Sequence, residues 1–297
     1  MAGKRIEATK DALASARAAK GKRAANLTFA VLGPVAAFRG SRPIPIPGTK
    51  PRAMLATFLL RRNQPLTADA LTEALWDKRP QSATKMIHVF VSRLRQALGS
   101  AGSRLVTSRD GYLFHVEPDE LDLDRFERLI ARVRRADSAD RPELVARTLR
   151  EALSLWKGPP LDDVLESDFL RREAALLENL RLGVLEDCVD AELALGRHFE
   201  LVPELGRLVV EHPRRERFLG ELMVALYRCG RQAEALDAYR EMCRKLDTEM
   251  GIEPGGELKR IERAILEQDP ELDLPSRYRR RLRKGRFRRT FLRKRPP

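Results

Sequence analysis

Residues 81–99, QSATKMIHVFVSRLRQALG, and residues 104–115, RLVTSRDGYLFH, decide the fold. In the first stretch Ala83, Ile87, Val91, Leu94 and Leu98 recur at steps of four and three. They therefore share one face of a helix and must turn into a core. Lys85, His88, Ser92, Arg93 and Arg95 fall largely on the remaining face. In the second stretch the residues around Leu105 and around Leu113 alternate like paired strands, and Ser108-Arg109-Asp110-Gly111 supplies the turn between them. A cationic helix followed directly by a basic hairpin is how a winged helix meets DNA. Side chains of the helix donate to guanine edges or phosphate oxygens in the major groove, and Arg109, near the hairpin tip, reaches the backbone or minor groove. A basic helix by itself reads more simply as a solvated face, and the hairpin is what shifts the reading toward DNA. Lys85, His88 and Ser92 project from adjacent turns and are the candidate base readers. Arg93 and Arg95 are the candidate phosphate clamps, with pairing to an acid inside the domain as the other role for Arg93. Phe90 is expected to pack against the wing rather than touch a thymine methyl.

Upstream, strand signals at 28–32, 35–38 and 43–46 are broken by Gly33-Pro34, Gly40 and Pro45-Ile46-Pro47-Gly48. A helix follows over 51–62, burying Met54, Leu55, Phe58 and Leu59. Thr67 is placed to cap a second helix that ends at Trp76. Asp77-Lys78-Arg79-Pro80 then turns the chain, and Ser82 is placed to cap the basic helix. Strands, three helices and a terminal hairpin result.

Charge is unevenly spread over the 297 residues, whose formal net charge is +14. Residues 27–117 hold 13 basic and five acidic side chains, whereas residues 118–276 hold 25 and 36. The ends are basic: seven Lys/Arg against two acids in 1–26, and 12 against none in 277–297. A basic domain, an acidic domain and two basic tails point to nucleic acid at one end and protein contacts in the middle. Residues 1–26 are too poor in large apolar groups to pack a core and read as a basic arm. In the tail, arginines interleave with Tyr278, Leu282, Phe287, Phe291 and Leu292, a pattern suited equally to non-specific DNA or RNA binding and to a disordered solubilising segment.

Beyond Glu117-Pro118-Asp119 nearly everything reads as helix, with spans expected at 122–136, 142–157 and 166–180. Gly196-Arg197-His198-Phe199-Glu200 precedes Gly230-Arg231-Gln232-Ala233-Glu234 by 34 residues, and Leu205, Leu208 and Val209 pair with Tyr239, Met242 and Cys243 at the same offset. That is the tetratricopeptide period, with Gly196 and Gly230 at the tight turns. Cys188, Cys229 and Cys243 lack metal-type spacing and read as reduced core thiols. The apolar-rich uncharged run Leu27 to Phe38 is shorter than the roughly 20 apolar residues a bilayer needs, and no signal-peptide core is present, so a cytoplasmic protein without a membrane partner is expected. No phosphate loop, dinucleotide fingerprint or His-Glu-x-x-His motif occurs. His198 and His212 fall in the helical repeats and read as structural. Neither an enzyme, a metal nor a cofactor is expected.

The stretches VSRLRQALG (91–99) and LVTSRDGYLF (105–114) resemble the effector domain of OmpR-type response regulators. LTFAVLGPVAAF (27–38) and GTKPRAMLATFLL (48–60) are similar to the start of the Streptomyces antibiotic regulatory proteins, the SARP family of actinobacterial activators. LWKGPPLDD (155–163), ALYRCGRQAEALDAYREM (225–242) and LDTEMGIEPGGEL (246–258) resemble the bacterial transcriptional activation domain that follows in that family. The resemblance covers about 27–268. It implies a mainly α fold with a small β component, in which an OmpR-type winged helix precedes an all-α tetratricopeptide-like domain. The expected divisions are a basic arm at 1–26, the winged helix at 27–117, the helical domain at 118–270 and an Arg-rich tail at 271–297. The implied function is a transcriptional activator that binds direct repeats in double-stranded DNA as a homodimer and recruits RNA polymerase holoenzyme at a secondary-metabolite gene cluster. Half-sites about one helical turn apart follow from two domains reading one face of the duplex. The resemblance further implies that the loop holding Trp76, Asp77, Lys78 and Arg79 contacts polymerase; otherwise it is a plain connector with Trp76 in the core. The competing reading is a helical-repeat scaffold for a protein or peptide, whose winged helix is not a specific DNA reader.

Overall fold

The computed structural model describes residues 27–109, 111–135 and 141–273. The basic arm at 1–26 and the Arg-rich segment at 277–297 lie outside the described residues, as does Asp110 in the hairpin turn. The chain forms two compact units. The first comprises residues up to Arg128 together with Ser154–Leu180, and the second comprises Leu129–Leu153 together with the residues from Arg181 onward.

The first unit opens with a three-stranded antiparallel sheet, β1 (Leu27–Ala30), β2 (Ala36–Arg39) and β3 (Arg42–Ile44). In β1, Leu27 and Phe29 point inward and alternate with half-buried Thr28 and Ala30, the period of two expected of a half-covered strand. Three helices follow, α1 (Thr49–Leu60), α2 (Ala68–Leu75) and α3 (Ala83–Leu98), and then a hairpin of β4 (Leu105–Ser108) and β5 (Gly111–Phe114). This is the winged-helix order. Its core joins every element: Phe114 of the hairpin meets Phe29 of the sheet edge-on at 5.4 Å and Phe58 of α1 at 6.3 Å. Met54, Leu59, Leu71, Leu75 and Ile87 are completely buried around them.

Thr67 caps α2 as expected, its hydroxyl accepting from the Ala70 N–H at 3.0 Å. Ser82 does not cap α3 with its side chain. Its backbone lies at φ −94°, ψ 13° instead of the extended conformation a capping hydroxyl needs, because the turn that closes on Pro80 leads straight into the helix.

The first unit draws its remaining parts from beyond Glu117. Phe29 N–H donates to the Glu120 carbonyl at 2.7 Å, continuing the sheet at β1. The Asp122 carboxylate then accepts the N–H groups of Val31 and Leu32 at 3.0–3.1 Å, and Asp163 accepts that of Val35 at 2.7 Å. These amides sit in the Gly33-Pro34 turn, where no strand partner serves them, so the two carboxylates supply what the ladder cannot. Asp163 also holds Arg52 of α1. Burial pushes the Asp122 carboxyl up to about 6, against the pull of the backbone N–H groups. Leu161 takes a left-handed backbone (φ 58°), donates to the carbonyls of Val31 and Gly33, and is fully buried. A non-glycine residue holds that conformation when its surroundings fix it.

Helix α4 (Asp122–Arg135) contributes to both units, as does α6 (Asp168–Ala194). The helix expected over 166–180 therefore runs on to Ala194: the stretch has no proline, and Gly183 alone costs it about 1 kcal/mol. The one expected over 142–157 stops at Leu153 as α5 (Pro142–Leu153), and Gly158-Pro159-Pro160 keeps helix from resuming.

In the second unit α7 (His198–Glu211), α8 (Glu216–Arg228), α9 (Gln232–Met250) and α10 (Gly256–Glu267) form the repeat array. The central helix is α8, which packs on α7, α9 and α10 and buries Phe218, Leu219, Met223 and Ala225 almost completely. Gly196 and Gly230 take φ of 80° and 78° at equivalent turns, the backbone the 34-residue repeat requires there. The three cysteines form no disulfide with one another; Cys188 is buried, whereas Cys229 and Cys243 are half-exposed. Burial pushes the Cys188 thiol up to about 12.

Candidate nucleic-acid interface

Helix α3 sorts its residues as the spacing predicts. Ala83, Ile87, Phe90, Val91, Leu94 and Leu98 are buried, and Gly99 ends the helix at φ 58°. Lys85, His88, Ser92 and Arg93 are exposed, together with Thr84, Val89 and Gln96. No acidic residue occurs anywhere in the helix, so the open face is wholly cationic or neutral. Gln96 lies four residues after Ser92 and completes the stripe Lys85, His88, Ser92, Gln96. Its lack of charge conceals it in the sequence, although the i, i+3, i+4 spacing marks it and a carboxamide is well suited to adenine.

Arg95 takes a different position from its neighbours. It is half-buried, and its guanidinium donates to the Leu105 carbonyl at 2.8 Å and the Thr107 hydroxyl at 2.7 Å. The side chain thus fastens the helix to the first wing strand. His88 is tied to the second strand, with Nδ1 2.7 Å from the Tyr112 hydroxyl and the rings edge to face. One ring nitrogen is left for a ligand. Arg109 is exposed at the hairpin turn, next to the exposed Val106, Thr107 and Ser108.

The wing is anchored at its base. Leu66 and Tyr112 exchange backbone hydrogen bonds of 2.7 and 2.8 Å, adding a bridge outside β5. Gly111 makes this possible: its φ is 135°, and a Cβ there would fall 2.1 Å from the Leu66 carbonyl oxygen.

The residues between α2 and α3 divide into anchored and open ones. Trp76 is half-buried, stacked on Phe90 at 6.2 Å with the Lys50 ammonium 5.7 Å from its ring centre. Phe90 therefore packs against Trp76 of the loop. Asp77 accepts the Asp168 N–H at 2.6 Å and an Arg171 N–H at 2.7 Å. These two donors, the Asp168 backbone first, hold its carboxyl below the usual range. Ser167, fully buried, donates to the Ala74 carbonyl at 2.6 Å. Lys78 is exposed, as is Arg79, which pairs with Asp69 at 2.8 Å.

Among the described residues no group of His, Cys, Asp or Glu is arranged to hold a metal ion, and no helix is long and apolar enough to cross a membrane.

Two family descriptions match the chain: "Transcriptional regulatory protein, C terminal" over residues 46–114, and "Bacterial transcriptional activator domain" over 121–266. The regulatory protein DnrI of Streptomyces peucetius is 34% identical over 253 residues, which cover 82% of this chain and 93% of that protein. The transcriptional regulator RedD of Streptomyces coelicolor is 35% identical, covering 83% and 72%. The regulatory protein AfsR of Streptomyces griseus is 41% identical, but this chain spans only 26% of its length. A solved structure of Mycobacterium tuberculosis EmbR in complex with a low-affinity phosphopeptide aligns with a TM-score of 0.78 at 34% identity, over 88% of this chain and 69% of that one. With both domain matches in the order of the fold, and near-full-length relatives above 30% identity, the chain belongs to the Streptomyces antibiotic regulatory protein family of transcriptional regulators.

Proposed function

We propose that this regulator is a sequence-specific activator that lays α3 in the major groove and the tip of its wing on the adjacent backbone. The observation that carries the reading is the acid-free stripe of Lys85, His88, Ser92 and Gln96 on a helix whose opposite face is fully buried. Lys85, His88, Ser92 and Gln96 read base edges, and Arg93 and Arg109 meet phosphates. Arg95 acts as a positioning residue that fixes the wing to the helix. Two copies bind direct repeats side by side, with half-sites about one helical turn apart. The α2–α3 loop offers Lys78 and Arg79 to RNA polymerase holoenzyme, while Trp76 and Asp77 hold the loop in shape from behind. The chain acts in the cytoplasm, and its target is a secondary-metabolite gene cluster, in keeping with the antibiotic regulators of the family.

Genome-wide DNA immunoprecipitation of the tagged chain tests this, followed by a salt titration on the strongest fragment. Sharp peaks over phased direct repeats are expected. If about six phosphates are neutralised, affinity falls on the order of a thousandfold between 50 and 200 mM salt. Diffuse occupancy, or binding indifferent to salt, would overturn the reading in favour of a helical scaffold.

A further inference from the structure

In the second unit, α8, α10, the end of α6 and the turn at Pro270–Leu272 surround an open groove of about 630 Å³. Its floor is apolar, formed by Leu193, Val224, Leu258 and Ile261. Ile261 of α10 reaches over Gly220 of α8, where a Cβ would lie 2.8 Å from its Cδ1. The rim is acidic, with the carboxylates of Asp190, Glu216, Glu257, Glu271 and Asp273 facing three guanidiniums. Those guanidiniums are already engaged: Arg217 by Asp187 and Asp190, Arg228 by the carbonyls of Leu193 and Leu272, and Arg260 by Glu257. Glu221 also lines the groove. It is 4% exposed, and among the described residues its oxygens accept no hydrogen bond; Arg217 Nε lies 3.4 Å away. An apolar floor under a net negative rim suits a segment in which cationic and apolar side chains alternate.

Such a segment starts at the groove's own edge. Asp273 lines the groove and is the last described residue. From Arg277 to Pro297 there are 12 Lys/Arg and no acid, interleaved with Tyr278, Leu282, Phe287, Phe291 and Leu292. The four steps from Asp273 to Arg277 span at most about 14 Å, and so short a tether gives an effective concentration in the millimolar range. Modest intrinsic affinity is then enough. We propose that residues 277–297 dock in cis in this groove, with aromatic and leucine side chains on Val224, Leu258 and Ile261 and guanidiniums on rim carboxylates such as Glu257 and Glu271. The docked segment is withheld from nucleic acid until it is displaced.

Zero-length carbodiimide coupling of the full chain, read by mass spectrometry on a mixture of isotopically light and heavy protein, tests the proposal. Lys284 or Lys294 should couple to Glu257, Glu271 or Asp273 within one isotope label, and the yield should fall roughly fivefold or more at 0.5 M salt as the charges are screened. In parallel, limited trypsin digestion should release the segment roughly fivefold faster from the exposed-rim variant Glu257→Gln with Glu271→Gln than from the parent chain. Coupling spread over acids outside the groove, coupling across labels (a second copy as occupant), or equal digestion rates would each overturn the proposal.

Discussion

Glu221 puts a price on burial that can be measured. Desolvation, helped by nearby Asp190, pushes its carboxyl up to about 9, so the folded chain holds it neutral at pH 7. Its ordinary value of 4.5 in the unfolded chain means that folding at pH 7 must take up a proton. The raised value makes this contribution to stability fall as pH climbs from about 4.5 to 9, and the cost at pH 7 is about 3 kcal/mol. Glu221→Gln removes it. Thermal melts should show the variant more stable than the parent by up to about 3 kcal/mol at pH 7, with the gain shrinking to under about 1 kcal/mol at pH 5. A second pair of substitutions separates reading from positioning on α3. Lys85→Ala should weaken binding to the preferred site by about 1–3 kcal/mol and leave the melting temperature unchanged. Arg95→Ala should weaken binding and also lower stability by about 1 kcal/mol, because it releases the Leu105 carbonyl and the Thr107 hydroxyl. Fragment binding and melts on both variants check this; equal stability losses would reject the division of roles.

Among elements, the wing depends on its glycine. Gly111→Ala puts a methyl group into the Leu66 carbonyl and strains the backbone, with an expected loss of about 2 kcal/mol or more. Hydrogen exchange should localise the damage to β4 and β5 before the rest of the unit opens, and uniform protection would contradict it. The hairpin, α2 and α3 were legible in the sequence because each is specified locally, by an alternation, by a capping Thr67, and by apolar steps of four and three. The inward turn of Arg95 onto the wing was not legible, for a geometric reason. Arg95 stands four residues after Val91 and three before Leu98, on the border of the buried face, where a long side chain folds back onto the nearest carbonyl. The exit of α6 was illegible because nothing in 168–194 forbids helix, so its length is set by what it packs against. Asp122 and Asp163 look like ordinary acids of a polar stretch. Their partners are backbone amides about 90 and 128 residues away, and no local period records such pairings.

At the scale of the whole molecule, those distant pairings decide what folds by itself. A fragment ending at residue 117 would lose the acceptors of the Gly33-Pro34 turn, together with Leu121, Phe126, Leu161 and Val164, all fully buried. Each such side chain contributes about 1.5–3 kcal/mol, so the expected deficit exceeds about 5 kcal/mol, comparable with the entire stability of a small domain. The 27–117 fragment should therefore show no cooperative melt, and a sharp transition near that of the full chain would refute the claim. The same pairings bear on inheritance. The two family matches leave residues 115–120 between them, which looks like a natural place for genes to trade parts. A crossover there would hand one parent's Gly33-Pro34 turn and Arg52 to another parent's Asp122 and Asp163, so the backbone donors of the turn are met only where both acids stand in register with it. Such an exchange would therefore cut through the first unit rather than between the two units.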